Sequence, residues 1–388
     1  MNPLLKKLIL KVPGIKRLHQ RIQGLESRAA EAEDRLGKLA LEVTDTKQLY
    51  QRLQELESRV AESEAQCLKK VQSAGKFIEM MEIRKRAELV FHMAQSGEGT
   101  DLCLELGCLP MLVHYYSPVP DLKDMTERRI WDKRAPLTGI DFQSEKHREF
   151  LEALGQAHGD ECRWPSTSTG APFEFYIENG RFSYGCAAVL HCLIRSKKPR
   201  RVMEVGSGFS SRVIAAALKL NSEETPATEC RYTIIDPYPD KDLVDGLPMV
   251  TEFITQRVEL TDPVIFDGLG ENDILFIDSS HTVRIGGDVN FLFLEVLPRL
   301  ASGVLVHLHD IHLPDEYHQV YYTNPQFRVF WTEAYLLEAF LIFNSEYETL
   351  TGVWNIMTNY LPDFRRIFPY YDPEKHTGVS SSFWMRRK

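Results

Sequence analysis

Proline is nearly absent from the first ninety residues, where only Pro3 and Pro13 occur, and aromatic side chains are almost as scarce there. A stretch so poor in bulky apolar groups does not build a globular core, and the Glu, Arg, Gln, Leu and Ala that fill it favour helix. Cysteine is sparse too: the chain has seven, an odd number with no C-x-x-C pair. That excludes a paired disulfide framework, offers no zinc-ligand spacing and fits a reducing cytoplasm. No apolar run is long enough to span a bilayer. In MNPLLKKLILKVPGIKRL the lysines Lys6, Lys7 and Lys11 interrupt the stretch, and Pro13 and Gly14 end it. Basic residues beside Leu4, Leu5, Leu8, Ile9 and Leu10 leave residues 1–17 open as an amphipathic contact with the cytoplasmic face of a membrane or with a partner enzyme, or as the start of the next helix. Positive charge is also in deficit. With a formal net charge of −9, the chain lacks the basic field that a nucleic-acid partner requires.

What fills the N-terminal region is a heptad pattern. From Leu18 the positions Ile22, Leu25, Ala29, Ala32, Leu36, Leu39 and Val43 alternate steps of three and four, the seam of a coiled coil over residues 18–75. RIQGLESRAAEAE recurs as RLQELESRVAESE at an offset of thirty-one residues, which places a three-residue stammer near Leu53 and Leu56. A helix from Leu18 to Gly75 extends about 85 Å at 1.5 Å per residue and cannot bury its own seam. Homo-oligomerisation is expected, with folding back around Thr44–Lys47 or a solvated single helix as the other readings. Residues 76–180 read as a helical and irregular lead-in, with a boundary near residue 100, before a globular domain over residues 181–388.

The most informative segment is RVMEVGSGFSSRVIAAAL, Arg201 to Leu218, followed by RYTIIDPYP. It predicts strand, glycine turn, helix and a second strand ending in Asp236, the plan of a Rossmann-type nucleoside pocket. Gly206 and Gly208 permit a tight turn and close backbone approach. Ser211 stands where a dinucleotide site usually has a third glycine, and Glu204 would repel a diphosphate. Carboxylates instead suit the ammonium and sulfonium of S-adenosyl-L-methionine, whose ribose hydroxyls Asp236 can accept. The candidate cofactor contacts are therefore Glu204, Gly206, Ser207, Gly208, Ser210, Ser211, Asp236 and Asp278.

Two further apolar runs, DILFIDSSHT and SGVLVHLHDIHLP, end in Asp278 and His281 and in His309 and Asp310. Ligands bind beyond the carboxyl ends of parallel strands, so Glu204, Asp236, Asp278, His281, His309 and Asp310 are expected around one crevice. EVGSGFSS, IIDPYP, FIDSSHT, GVLVHLHDI and SSFWMRR together resemble the Rossmann-like, class I S-adenosylmethionine-dependent methyltransferases, the superfamily of many bacterial small-molecule and sugar O-methyltransferases. The likeness covers about residues 180–388, and HYYSPVPD and FEFYIENGRFSYG resemble the segment that often precedes that core. It implies an α/β fold, a Rossmann-like methyltransferase sheet flanked by helices, here preceded by the long α-helical coiled coil, and O-methylation of a hydroxyl on a sugar, glycan or other polar small molecule.

An acceptor hydroxyl needs a general base or a metal that acidifies it. His281 is the preferred base, with Asp278 to orient it and His309 as a further catalytic candidate. Related sugar and macrolide enzymes hold a divalent metal with acids after the fourth and fifth strands, which maps onto Asp278 and Asp310. His309 replaces the remaining acid, so magnesium is a poorer match than manganese, iron or zinc. A metal-free site with a histidine base is the other reading. His307 is expected inside the fifth strand, and His312 and His318 in the following loop. Val320 to Trp331 is expected as an aromatic lid or a packed insertion, with Arg328 and Glu333 available to hydroxyls or a carboxylate. Two other functions stay open: a metal-dependent hydroxylase on this fold, and a coiled-coil assembly protein with a non-catalytic Rossmann domain.

Overall fold

Short apolar runs that are buried on both faces make central parallel strands, and VMEV, YTII, ILFI and LVHL occupy the middle of one seven-stranded sheet. The computed structural model describes residues 13–40, 46–225 and 229–388. The chain divides into two units, one ending at Ser117 and the other running from Pro118 to Lys388.

The first unit contains helices α1 (Pro13–Ala40) and α2 (Thr46–Ser96) and a short helical turn at Thr100–Glu105. Helix runs through the proposed stammer without a break. Leu53, Leu56, Val60, Phe77 and Met81 stand exposed along α2, so its apolar positions find no cover within the described chain. The junction at residues 41–45, where folding back was one reading, and most of the amphipathic lead lie outside the described residues. Among the described residues no helix is long and apolar enough to cross a membrane.

In the second unit, residues 118–180 cluster with the sheet. Helices α3 (Ser144–His158) and α4 (Tyr184–Lys197) precede β1 (Arg201–Val205), α5 (Phe209–Glu224), β2 (Arg231–Ile235), β3 (Val250–Ile254) and β4 (Ile274–Ile277). Then come α6 (Asp288–Phe291), β5 (Leu305–Leu308), α7 (Glu333–Leu341), β6 (Tyr347–Gly352) and β7 (Phe383–Arg387). The segment after α6 widens into a π turn at Leu292–Val296 and tightens at Leu297–Arg299. Pro298 lacks an N–H to continue the α ladder, which accounts for the change of pitch.

The spatial order is β3-β2-β1-β4-β5-β7-β6. Strands β1 to β5 pair in parallel, and β7 runs antiparallel to both β5 and β6. YETLTGVWNIM divides: Gly352 ends β6 and residues 353–359 turn helical. Strand alternation sorts the core into two layers. Val202, Tyr232, Ile274 and Phe276 pack with α4 and α5 on one face, and Met203, Ile235, Leu275 and Val306 pack on the other. The strand order reverses between β1 and β4, so a crevice opens at their carboxyl ends.

Candidate functional site

The glycine turn at the end of β1 is built by sterics. Gly206 has φ +86°, and a Cβ there would lie 2.3 Å from the Asp278 carbonyl oxygen at the end of β4. Only glycine allows the two strand ends to approach this closely. Its N–H donates to the Ile235 carbonyl at 2.9 Å, and Ser207 donates through N–H (2.8 Å) and hydroxyl (2.6 Å) to Asp236 Oδ2. Gly208 N–H donates to Ser211 Oγ at 3.0 Å as α5 begins. Asp236 Oδ1 also accepts from Tyr238 N–H at 2.8 Å. The turn is thus pinned to β2 before any ligand arrives. Beside it lies a cleft of about 550 Å³, lined by Gly206, Ser207, Asp236, Tyr238, Asp278 and Ser280, among others. That volume is typical of small-molecule sites.

Glu204 is not on the rim. It pairs in register with Ile234 and Phe276 inside the sheet, is fully buried, and faces the α5 layer. Ser210 Oγ donates to Glu204 Oε1 at 2.6 Å, and the Tyr232 hydroxyl donates to Oε2. Burial pushes the carboxyl up to about 7 in spite of these bonds. The expectation that Glu204 shares one crevice with the other acids therefore needs correction, and the reason is strand parity. A residue two places before the turn still obeys the alternation of β1 and points into a packed face. Ser210 and Ser211 are buried with it.

The ends of β4 and β5 do converge. His281, with φ +57° and its side chain buried, places Nδ1 2.8 Å from Glu333 Oε2. Its Nε2 lies 3.3 Å from Asp278 Oδ1 and 3.6 Å from Asp310 Oδ2. Burial alone would lower its pKa, but hydrogen bonds to Asp278 and Glu333 and the charges of Glu333 and Asp310 lift it well above 6.5. His281 therefore lies among three carboxylates that favour its cationic form. Asp278 is its counterpart: burial would raise it, yet the His309 imidazole and the His281 hydrogen bond hold it down to about 2. His309 Nε2 lies 3.6 Å from Asp310 Oδ1, and its Nδ1 is buried without a hydrogen-bond partner. Asp310, also in the left-handed region at φ +53°, accepts from Ser381 Oγ at 2.7 Å.

Asp278, His309 and Asp310 come together, as the metal reading requires, but the imidazole of His281 lies within salt-bridge reach of both acids. Among the described residues no group of His, Cys, Asp and Glu is arranged to hold a metal ion. The aromatic stretch after β5 is packed: Tyr317 and Tyr322 are buried, Trp331 lies 4.8 Å from the His281 ring, and Arg328 Nε donates to the Tyr322 carbonyl. His307 stacks on Phe276 inside the sheet at 3.8 Å. His312 stacks on Trp354, and burial lowers its pKa to about 4. His318 hydrogen-bonds locally, accepting from Val320 N–H.

A family of methyltransferase domains matches residues 203–311, the stretch from inside β1 to just past Asp310. An uncharacterized protein of Archaeoglobus fulgidus is 31% identical over 185 residues, covering 46% of this chain and 80% of its own length. Residues 203–311 belong to that methyltransferase-domain family. Among solved structures, the S-adenosylhomocysteine-bound methyltransferase PaMTH1 of Podospora anserina is 14% identical at a TM-score of 0.32, over 70% of this chain and 99% of that one. A protein-L-isoaspartate O-methyltransferase from Plasmodium falciparum, in complex with S-adenosyl-L-homocysteine, is 13% identical at a TM-score of 0.25, over 42% of this chain and 83% of that one.

Three residues of this unit had no local signal for their roles. Glu333 was named only as a substrate contact, yet it anchors His281 from fifty-two positions away. Tyr232 sits in an apolar run, where its hydroxyl gives no hint that it meets Glu204. Ser381, in the SSFWMRR motif, reaches Asp310 from β7's lead-in. The one available clue was that motif's serines, directly before an otherwise apolar strand.

Proposed function

We propose that the chain transfers a methyl group from S-adenosyl-L-methionine to a hydroxyl oxygen of a sugar, glycan or other polar small molecule. The observation that carries the reading is the Gly206 turn, which a Cβ would fill, set between Asp236 and Asp278 at the mouth of a cleft sized for a nucleoside. Asp236 retains lone pairs for ribose hydroxyls beyond those Ser207 and Tyr238 occupy. Asp278, kept ionised by its imidazoles, supplies negative charge where a sulfonium would lie. Bound there, the cofactor supplies an electrophilic methyl carbon on a sulfur leaving group.

The chain's own part is positional and acid–base. The chain would have to align the acceptor oxygen with that methyl carbon on the side opposite sulfur and take up the hydroxyl proton. His281 or His309, in its neutral form, takes that proton, with Asp310 beside either ring to stabilise the resulting cation. His281 also holds Asp278 and Asp310 at a fixed separation. Calorimetric titration of the full chain with S-adenosylhomocysteine tests the reading. Binding that Gly206→Ala abolishes supports it, and absence of binding overturns it.

The exposed apolar residues of α2 support self-association through the N-terminal helices. Sedimentation equilibrium of the full chain, and of a chain lacking residues 1–75, tests this. An oligomer that the deletion leaves unchanged would refute it.

A further inference from the structure

Away from the cofactor cleft, a second cavity of about 590 Å³ opens between residues 162–184 and 365–376 of the same unit. Its walls are aromatic. Trp164, Tyr184, Tyr370 and Tyr371 line it, and Tyr184 stacks on buried His376 at 4.8 Å and 14°. Its mouth is cationic, with Arg163, Arg365 and Lys375 all exposed. In a chain of net charge −9, three cations facing one opening run against the average surface.

Their existing partners leave most of that charge free for a ligand. Arg163 lies over the Tyr370 ring at 4.2 Å and reaches Asp160 only at 4.0 Å. Lys375 pairs with Asp372 at 3.1 Å, the one acid among the lining residues. Arg365 has no carboxylate partner among the described residues. Aromatic faces bind rings, and a guanidinium fork binds phosphate oxygens in pairs.

The cavity's inner wall is packed against residues that touch the acid–imidazole cluster. A smaller one of about 250 Å³ shares Tyr184, Lys375 and His376 with it and extends to Ser183 and Gly378. Ser183 Oγ lies 2.7 Å from Ser380 Oγ, and the next residue, Ser381, donates to Asp310. Phe182, beside Ser183, has its ring 5.1 Å from that of His309. One short segment therefore joins the aromatic cavity to the acid–imidazole cluster.

We propose that this cavity binds the anionic end of the acceptor, a sugar ring carrying a phosphate or a nucleoside diphosphate, with the ring against Trp164 and Tyr370 and the phosphate on Arg163, Arg365 and Lys375. This rests on the methyl-transfer reading above and names its substrate class. The test is calorimetry of the full chain with glucose 1-phosphate, uridine diphosphate, glucose and inorganic phosphate, each run beside S-adenosylhomocysteine. The expected result is binding of glucose 1-phosphate or uridine diphosphate, with glucose and inorganic phosphate at least tenfold weaker. Binding of the first alone assigns the sugar phosphate, and of the second alone the nucleotide. Arg163→Ala with Arg365→Ala should weaken it tenfold or more and leave S-adenosylhomocysteine affinity unchanged. Lys375→Ala provides the same readout should the double variant lose its thermal transition. Failure of both phosphates to bind, equal binding of inorganic phosphate, or indifference to the cation variants overturns the proposal. Failure of S-adenosylhomocysteine alone would instead remove the methyl-transfer reading and leave a phosphate-binding cavity to be judged on its own variants.

Discussion

The carboxyl ends of β1 and β4 are adjacent in the sheet, yet they treat their acids in opposite ways. At β1, Glu204 is buried among neutral donors, Ser210 and Tyr232, and its carboxyl rises to about 7. At β4, Asp278 is still one-third open to solvent, meets two imidazoles, and falls to about 2. Neutral hydrogen bonds soften the cost of burying a carboxylate without cancelling it, whereas a neighbouring cation reverses the sign of the shift. The two ends therefore divide the work: one fixes the turn, and the other presents charge.

The largest disturbance to this contrast is His281→Ala. It leaves Asp278, Asp310 and Glu333 facing one another without their cation, and should cost about 3–5 kcal/mol of stability at neutral pH, read by denaturant unfolding. The loss should shrink in acid, where the carboxylates take up protons. At the β1 end, Glu204→Gln should flatten the pH dependence of stability. Between the ordinary carboxyl value of 4.5 and about 7 the folded wild-type chain holds a proton that the unfolded chain has released. Its stability therefore falls as pH rises through that window, by a total on the order of 3 kcal/mol. Melting temperatures from pH 4.5 to 7.5 check the difference between the two chains.

Gly206→Ala joins the two ends by force, pressing a methyl onto the Asp278 carbonyl at a positive φ. About 1–3 kcal/mol of strain is expected, together with loss of measurable S-adenosylhomocysteine binding by calorimetry. The mildest change is Asp236→Asn. It keeps an acceptor for Ser207 but turns an amide NH2 toward the Tyr238 N–H and gives up charge toward the ribose, which should weaken S-adenosylhomocysteine about tenfold, or about 1.4 kcal/mol, with a small drop in unfolding midpoint. A wild-type affinity in that variant would remove Asp236 from the cofactor site.

Much of this arrangement was legible in the residues because strand ends are marked locally. An apolar run of four or five followed by Asp, Gly or His places Asp236, Gly206, Asp278 and Asp310 correctly at the carboxyl edge. Glu204 was misplaced because a single step along a strand exchanges the two faces, and nothing local says which face is covered by α5. The charge state of His281 was hidden for a different reason. It depends on Asp278, Asp310 and Glu333 arriving from three segments, and only the folded sheet brings them together. In the N-terminal helices the heptad pattern marks apolar positions that stand exposed along α2.

The position of β7 has a consequence for biosynthesis. Of the seven strands it emerges last from the ribosome, yet it is inserted between β5 and β6, and the serines just before it reach Asp310 and Ser183. Until that segment has been made, β5 has an open edge and Asp310 lacks its hydroxyl partner. A nascent chain can thus form the glycine turn early, but it cannot complete the acidic pocket until the final insertion, which ties competence for chemistry to closure of the whole sheet.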